Sequence, residues 1–388
     1  MRDIDEELLK AAENGNLDKV IKLINLGADA NVVDEDGMTP LHLATVYGYT
    51  KIVSYLLKVA SDTAKRKDKN GRTPLHLASW RGHTEVVSLL LEVAPETSKE
   101  KDNEGWIPLH LASWGGYTEI VSLLIKVAPE TAKEKDRDGH TPLHWASSAG
   151  KIEIVSLLLK VAPETAKEKD NRGWTPLHYA SSGGYTDIVS LLLKVASDTA
   201  KVKSYYGLTP LHLASGRGHT EIVLLLLKVA PETAKEKDND GYTPLHWASS
   251  DGKIEIVSLL LKVVPETAKE KDKDGNTPLH LASWKGHTDI VSLLLKVASD
   301  TAKVKNKNGK TSLYWASYSN HTKTISLFLT VAPDIVNVKN NRGEKPLHKA
   351  IVNKEPKTIQ TLFTSISIKL EAPKTKTKEK RIVKKYIF

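Results

Sequence analysis

Apolar residues form wide stripes on short predicted helices along most of the chain. In residues 84–91, five of the eight positions are valine or leucine, and a threonine and a glutamate begin the segment. A surface helix normally buries a narrower face, so this stripe indicates a helix packed between two neighbours.

A tight turn and a second helix precede each of these segments. In residues 68–78, Asx residues stand just ahead of Gly71, which is typical of a turn that needs a positive φ. Thr73 suits an N-cap, and Pro74 suits the first helical position, where a missing N–H costs nothing. Gly82 would then end the helix in the left-handed conformation. Each segment therefore predicts two short helices joined by a turn.

This unit recurs with a period of 34 residues. Glycines follow that spacing from Gly37 to Gly343, and a second series runs from Gly48 to Gly286, with Asn320 continuing it. Together with a degenerate first unit, the period gives eleven repeats. We predict a capping repeat at 1–34, nine repeats over 35–339, a C-terminal capping repeat at 340–371 and a tail at 372–388.

The start of the first helix carries a specific motif. Thr-Pro-Leu-His-x-Ala stands intact seven times in register, beginning at Thr39, Thr73, Thr141, Thr175, Thr209, Thr243 and Thr277. It resembles the signature of the ankyrin repeat family. The resemblance implies an all-α solenoid of about eleven helix-turn-helix repeats with hairpin-like turns. Ser312 and Tyr314 replace the proline and the histidine of repeat ten, and Lys345 replaces the threonine of repeat eleven. We therefore expect these two repeats to be the least regular.

The connection after the second helix departs from the family pattern. Only residues 27–29 show the Gly-Ala-Asp stretch of the usual unit. Elsewhere the segment reads Ala-Pro-Glu-Thr or Ala-Ser-Asp-Thr, as at 94–97 and 60–63. Proline suits the first position of a helix, and serine or aspartate suits its cap. We predict a short extra helical turn at these places.

Two blocks of three repeats are near copies, and their differences indicate a binding surface. Residues 105–206 align with 207–308 without gaps and differ at 21 of 102 positions. Nine differences fall in the turn around the glycine, and five fall at the end of the first helix. A packed core tolerates few volume changes, so the exposed positions are the ones that diversified. Neutral drift is the alternative, but it explains aromatic enrichment less well, because solvated positions usually carry charge.

The family resemblance implies a concave groove formed by the turn tips and first helices, with the partner contacted by variable positions there. Tryptophan, tyrosine and arginine dominate such interfaces. The candidate partner-binding residues are Tyr47, Arg72, Trp80, Arg81, Trp106, Trp114, His140, Trp174, Tyr205, Tyr206, Arg217, Tyr242, Trp284 and Lys285. Four further aromatic residues lie inside the signature and are expected to be core: Trp145, Tyr179, Trp247 and Trp315.

The histidines and short motifs do not predict chemistry. Nine of the fourteen histidines occupy the signature position, where the resemblance implies hydrogen bonds between neighbouring turns. Successive copies would lie roughly 10 Å apart, too far to share a metal. The sequence Gly-Lys-Thr at 309–311 lacks the earlier glycine and the strand of a phosphate-binding loop. We expect no enzyme activity, no cofactor, no metal and no small-molecule substrate.

Composition and charge narrow the class of protein and its cellular compartment. The absence of cysteine excludes disulfides and thiolate zinc sites. No apolar run approaches the ~18 residues of a membrane span, and the acidic N-terminus does not resemble a secretory signal. We expect a cytoplasmic or nuclear protein. Of the net charge of +9, the tail at 372–388 carries +6, from seven basic residues against Glu379. A basic footprint across the folded repeats is therefore not supported.

The sequence favours an adaptor that binds another protein through its groove and turn tips. The alternative is a nuclear or nucleic-acid-associated ankyrin protein directed by the basic tail, which we expect to be disordered. Contact of the tail with an anionic membrane, or a solubilising role for it, stays open. A purely structural role within a larger assembly is a further possibility.

Overall fold

The secondary structure follows the 34-residue period from end to end of the described chain. The structure is a computed structural model that describes the backbone of residues 2–370 and the side chains of residues 2–364. This part of the chain contains helices and turns and no strand. Eleven successive helix pairs confirm the predicted all-α repeat fold, and we number the repeats 1–11 in chain order. The predicted tail at 372–388 lies outside the described residues.

The chain divides into two compact units, Met1–Val202 and Lys203–Phe388, here the N-terminal and C-terminal units. The N-terminal unit holds repeats 1–6, with α1 (Asp3–Glu13), α2 (Leu17–Asn25), α3 (Pro40–Val46), α4 (Thr50–Val59), α5 (Pro74–Arg81), α6 (Thr84–Val93), α7 (Pro108–Gly115), α8 (Thr118–Val127), α9 (Pro142–Ser148), α10 (Ile152–Val161), α11 (Pro176–Gly183) and α12 (Thr186–Val195). The C-terminal unit holds repeats 7–11, with α13 (Pro210–Arg217), α14 (Thr220–Val229), α15 (Pro244–Ser250), α16 (Ile254–Val263), α17 (Pro278–Lys285), α18 (Thr288–Val297), α19 (Ser312–Tyr318), α20 (Thr322–Val331), α21 (Pro346–Val352) and α22 (Pro356–Leu370). Within each unit, the first helix of a repeat packs on the first helix of the next. None of the described helices is long and apolar enough to cross a membrane.

The signature threonine and histidine fix the start of the first helix and join it to the next repeat. In repeat 8 the backbone N–H of Thr243 donates to Nδ1 of His246 at 3.1 Å. The threonine hydroxyl lies 2.9 Å from the same nitrogen. Because Nδ1 accepts, the ring proton sits on Nε2, which donates to the carbonyl oxygen of Asn276 in repeat 9 at 3.2 Å. This bridge confirms the structural role predicted for the signature histidine.

Burial keeps the bridging histidines neutral. Removal from water disfavours the imidazolium more than the bonded carbonyl favours it. It therefore lowers the pKa to about 3 at His144 and to about 4 at His42, His76, His110, His212, His246 and His280. In this state one nitrogen can accept while the other donates, as the bridge requires.

The turn between the two helices forms a second link between repeats. Gly48 follows α3 with φ +73°, and a Cβ there would lie 2.7 Å from the ring of His83 in the next repeat. That ring donates from Nε2 to the carbonyl oxygen of Val46 at 3.1 Å. The glycine is thus needed both for its backbone conformation and for the close approach of the ring. The second helices complete the core with residues such as Ile154, Val155 and Leu158, all buried.

A five-residue 3₁₀ helix follows the second helix in repeats 2–10, which confirms the predicted extra turn. These segments are Ser61–Lys65, Pro95–Lys99, Pro129–Lys133, Pro163–Lys167, Ser197–Lys201, Pro231–Lys235, Pro265–Lys269, Ser299–Lys303 and Pro333–Asn337. A buried threonine closes each of the first eight; the hydroxyl of Thr97, for example, donates to the carbonyl of Ala94 at 2.7 Å. Exposed ion pairs run between successive segments, as from Lys65 to Glu96 at 2.6 Å. Such exposed pairs contribute little individually.

Repeat 10 is more regular than its sequence predicts. Its helices α19 and α20 have the same lengths as those of repeat 8. Tyr314, which replaces the signature histidine, is buried, and its hydroxyl donates to the Glu344 carboxylate of repeat 11 at 3.0 Å. A phenol and a carboxylate therefore make the link that an imidazole and a carbonyl make elsewhere. Repeat 11 does differ, because its second helix extends over 15 residues.

Acidification should destabilise the repeats before their carboxylates titrate. The bridging histidines have a folded pKa near 4 and an unfolded pKa near ~6.5, so unfolding takes up protons between these values. Their contribution is complete above pH ~6.5 and is lost as the pH falls towards 4. From pH 6.5 to 5 we expect a loss on the order of 1 kcal/mol for each histidine. Urea denaturation followed by circular dichroism measures it; equal midpoints at the two pH values would contradict the prediction.

Candidate partner-binding surface

The predicted site residues lie on the turn tips and at the ends of the first helices. Three cationic side chains among them are exposed: Arg81, Arg217 and Lys285. Four members are half-buried: Arg72, Trp106, Trp174 and Tyr242. Six aromatic members are between 37% and 68% exposed: Tyr47, Trp80, Trp114, Tyr205, Tyr206 and Trp284. Thirteen of the fourteen are therefore accessible to a partner, at least in part; whether they contact one stays a prediction.

His140 is the exception, and its predicted exposure is wrong. The side chain is only 4% exposed and lies between two carboxylates. Its Nδ1 is 3.3 Å from Asp136, and its Nε2 is 3.3 Å from Asp170 and 2.9 Å from the hydroxyl of Tyr179. Burial by itself lowers the pKa of His140, but the two carboxylates outweigh it and raise the pKa to about 9. The ring is thus a buried cation at neutral pH.

Six aromatic rings of repeats 4–6 form a continuous series, here called the N-terminal aromatic row. In order of contact its members are Trp114, Trp106, Trp145, His140, Tyr179 and Trp174. Successive ring centroids are 6.4, 4.5, 4.8, 5.7 and 5.0 Å apart. These separations lie in the range of favourable edge-to-face and tilted ring contacts.

The structure corrects the assignment of Trp145, Tyr179, Trp247 and Trp315 to the core. All four are half-buried. Trp145 and Tyr179 belong to the aromatic row. The variable position of the signature therefore borders the candidate surface. The sequence held a signal for this, because that position carries leucine, tryptophan, tyrosine or, at Lys349, lysine. A core position would be restricted to apolar side chains.

Buried aspartates at the start of the turns hold the row in place. Oδ1 of Asp136 accepts backbone N–H groups of its own turn, and Oδ2 accepts the indole N–H of Trp145 at 2.9 Å. Asp170 uses its Oδ2 for the hydroxyl of Tyr179 at 2.6 Å. Burial alone would raise the pKa of Asp170, but its bonds to His140 and Tyr179 hold the pKa well below its usual range. The row is thus fixed by charged hydrogen bonds beneath it.

These charged groups do not form a metal centre. The two carboxylates bind opposite edges of the His140 ring, so their oxygens and the ring nitrogens do not converge on one point. Within residues 2–364, no group of three or more histidine, aspartate or glutamate side chains is placed to hold a metal ion.

Two separate features mark the C-terminal unit. Tyr205 and Tyr206 project from the tip of the first turn of this unit. In repeats 9 and 10, the rings of Trp284 and Trp315 lie 5.8 Å apart, and Trp315 lies 5.8 Å from Tyr318. Lys285 places its Nζ 4.7 Å from the ring centre of Trp284. Trp284 is therefore paired with a cation.

Replacing His140 with alanine should destabilise the N-terminal unit in a pH-dependent way. The substitution leaves two buried carboxylates without their cation, which should cost about 2 kcal/mol or more at pH 6.5. Because the folded pKa of His140 is raised, its contribution is complete below pH ~6.5 and is lost as the pH rises through about 9. The difference in unfolding free energy between wild type and variant should therefore shrink from pH 6.5 to 9.5. Equilibrium denaturation measures this difference.

The near-copy supplies a matched control. Tyr242 occupies the equivalent position in repeat 8 and carries no charge at pH 6.5. Replacing Tyr242 with alanine should change stability by an amount that stays constant between pH 6.5 and 9. If the two variants show the same pH dependence, the charge on His140 is not what holds the row.

Nearly all of the described chain matches a known protein family. The family model described as ankyrin repeats (three copies) matches residues 8–101, 94–167, 162–235, 229–304 and 298–372. Ankyrin repeats generally mediate protein–protein interaction and are typically not enzymatic.

Curated relatives are similar over short segments. Protein phosphatase 1 regulatory subunit 27 of Mus musculus is 44% identical over 55 residues, which are 14% of this chain and 36% of that protein. The 2-5A-dependent ribonuclease of Mus musculus is 41% identical over 64 residues, 16% of this chain and 9% of the relative. The putative ankyrin repeat protein FPV223 of Fowlpox virus is 45% identical over 47 residues, 12% and 33% of the two chains. The chain thus spans about a third or less of these relatives. With the signature, the paired helices and the family match in agreement, the chain belongs to the ankyrin repeat family.

Proposed function

We propose that this protein binds a partner protein through the turn tips and first helices of repeats 4–6. The N-terminal aromatic row is the observation that supports this proposal. Trp114 is 46% exposed at one end of the row, and Trp106, Trp145, Tyr179 and Trp174 are half-buried along it. Large rings that are partly exposed and already packed against one another are the side chains that contribute most to protein interfaces.

Because the rings of the row are held in place, the row favours specific binding of a partner over non-specific adhesion. Trp145 and Tyr179 are each held by a buried carboxylate, at 2.9 and 2.6 Å. A side chain held in one rotamer loses little conformational entropy when a partner covers it. Elsewhere in the part of the chain that the structure describes, the ring contacts of exposed aromatic residues are fewer, as in the pair Tyr47 and Tyr49 and the series Trp284, Trp315 and Tyr318. Repeats 4–6 are therefore the best supported site.

The surroundings of the row suit a polar rim. Arg137 and Arg172 lie at the turn tips beside it, together with Glu104 and Asp138. The guanidinium of Arg172 lies 5.9 Å from the ring centre of Trp174. Interfaces commonly combine an aromatic centre with charged residues at the edge, where ion pairs are weak but contribute to selectivity. We assign the anchoring role to Trp106 and Trp114 and the rim role to the arginines.

A triple substitution copied from the chain itself tests the site. Trp106→Leu, Trp114→Gly and Trp174→Asn introduce the residues that stand at the equivalent positions of the near-copy, Leu208, Gly216 and Asn276. The fold should therefore tolerate them. Loss of anchor tryptophans costs about 2 kcal/mol or more each, so affinity should fall at least ~100-fold. Affinity capture from lysate of the native host, with mass spectrometry, identifies the partner, and titration with the purified partner measures the loss.

The control is an exposed leucine on a second helix. Leu224 stands where the other repeats carry serine in most copies, so Leu224→Ser removes exposed apolar surface away from the turn tips. It should retain the partner at the wild-type level. Equal recovery of the partner by the triple variant, with an unchanged circular dichroism spectrum, would contradict the assignment to repeats 4–6.

A further inference from the structure

The tips and first helices of repeats 9–11 carry a charge opposite to that of repeats 4–6. The segments 272–286, 306–320 and 340–354 contain eight lysine and arginine residues against three carboxylates, a net charge of +5. The equivalent segments of repeats 4–6 carry two arginines and the cationic His140 against five carboxylates, a net charge of −2. The two surfaces therefore cannot favour the same partner chemistry.

Three lysines in repeats 9–11 lie on aromatic rings. The Nζ of Lys310 is 4.3 Å from the ring centre of Trp315, and that of Lys349 is 4.8 Å from the ring centre of Tyr318. Lys285 lies on Trp284 at 4.7 Å. The ring of Trp315 contacts the ring of Trp284 on one side and the ring of Tyr318 on the other. We call these six side chains the lysine–aromatic patch.

The three ammonium groups have no carboxylate partner. None of them lies within ion-pair distance of an aspartate or glutamate among residues 2–364, whereas the lysines of the 3₁₀ segments are paired from repeat to repeat. Glu344 attracts Lys310 electrostatically, but its carboxylate is engaged by Asn340 at 2.8 Å and by the hydroxyl of Tyr314. Burial, followed by repulsion from Lys349 and Arg342, lowers the pKa of Lys310. The patch is thus a region of net positive charge that Glu344 offsets only in part.

We propose that the lysine–aromatic patch binds an acidic polypeptide segment of the partner. Carboxylates of that segment would pair with Lys285, Lys310 and Lys349, and its apolar side chains would lie against the edges of the rings. The inference rests on the proposed role in protein binding, but it concerns different repeats and a different chemistry. The arrangement of the three lysines supports an extended segment, since they lie on three consecutive repeats and the repeats are spaced by roughly 10 Å. An extended chain covers that distance in about three residues.

The geometry favours a polypeptide over single-stranded nucleic acid. Bases bind such surfaces by stacking on open aromatic faces. Here the ammonium groups lie over the ring faces of Trp284, Trp315 and Tyr318, so a base could stack only after displacing a lysine. A carboxylate can instead reach each Nζ while the lysine stays on its ring. Lysine also presents a point charge suited to a single carboxylate.

Fluorescence anisotropy with designed peptides tests the inference on the full chain. The probe is a labelled peptide of about twelve residues with glutamate at every third position and tyrosine or leucine among the others, long enough to cross three repeats. A matched peptide carries glutamine in place of glutamate, and a third probe is oligo-deoxythymidylate. At about 50 mM salt, where exposed charges are weakly screened, the glutamate peptide should bind at least ~10-fold more tightly than the glutamine peptide.

The variant protein again takes its residues from other repeats. Lys285→Asp, Lys310→Asn and Lys349→Leu introduce residues that other repeats carry at the equivalent positions. These residues are Asp251, Asn276 and Leu281. This triple variant should bind the glutamate peptide at least ~10-fold more weakly, from the loss of three exposed charge pairs. Any contribution from the basic residues at 372–388 is common to both proteins and cancels. If the triple variant does not fold, Lys285→Asp alone, on an exposed position, provides the comparison.

The outcomes separate the two proposals. The variant at Trp106, Trp114 and Trp174 should bind the glutamate peptide with wild-type affinity, and the lysine variant should bind it more weakly. This result supports the patch whatever repeats 4–6 bind. Equal binding of the glutamate and glutamine peptides, or equal binding by wild type and the lysine variant, would overturn it. Tighter binding of oligo-deoxythymidylate that also depends on the three lysines would overturn it in favour of nucleic acid.

Discussion

The structure depends on a neutral imidazole that accepts a hydrogen bond at one nitrogen and donates one at the other. In repeat 8, His246 binds the cap residue of its own helix through Nδ1 and the following turn through Nε2. A buried backbone carbonyl left without this donor would cost about 1–3 kcal/mol. Since each bridge satisfies groups of two successive repeats, no repeat reaches its full stability alone, as expected for an array stabilised by nearest-neighbour contacts. Repeat 10 shows that the link matters more than the residue, because Tyr314 reaches Glu344 by different chemistry.

This division of labour leaves the turn tips and first-helix ends free to diverge. The bridging histidine, the inter-helix glycine and the 3₁₀ segment all occupy positions that the near-copies share. The differing positions carry five of the six rings of the aromatic row in repeats 4–6, all but Trp145. In the copy they carry Trp284 and Lys285 of the lysine–aromatic patch, whose other members lie in repeats 10 and 11, outside the copied block. One scaffold thus presents an acidic aromatic surface and a basic aromatic surface. Electrostatic complementarity governs specificity and association rate more than affinity, so two such surfaces can discriminate between partners or between segments of one partner.

Much of the fold was predictable because its determinants are local. The 34-residue period, the Thr-Pro helix start and the extra turn at Ala-Pro-Glu-Thr each depend on the conformational preference of a few neighbouring residues. The burial of His140 was not predictable in this way. It requires Trp145 in its own repeat and both Asp170 and Tyr179 in the next. Within a single repeat, His140 is a polar residue at a variable turn tip, and such a residue is expected at the surface. The accessibility of Trp145 was missed for the same reason, because leucine at that position is usually buried.

The aspartate that opens most turns connects the scaffold to the surface. Its Oδ1 accepts backbone N–H groups and shapes the turn, which leaves Oδ2 available to a side chain on the surface. That second oxygen holds Arg72 in repeat 3, Trp145 in repeat 5, Tyr179 in repeat 6, Trp247 in repeat 8 and Asn276 in repeat 9. Repeat 7 has Ser204 instead, and its neighbouring variable positions, Leu208 and Leu213, have no polar side-chain atom to be held. A buried carboxylate left without a partner is costly. The five aspartates that hold a side chain are buried, whereas Asp34 in repeat 2 and Asp102 in repeat 4 are half-buried. Where the turn aspartate is buried, it thus favours a polar side chain beside it, and diversification of the surface is constrained there by the charge beneath it.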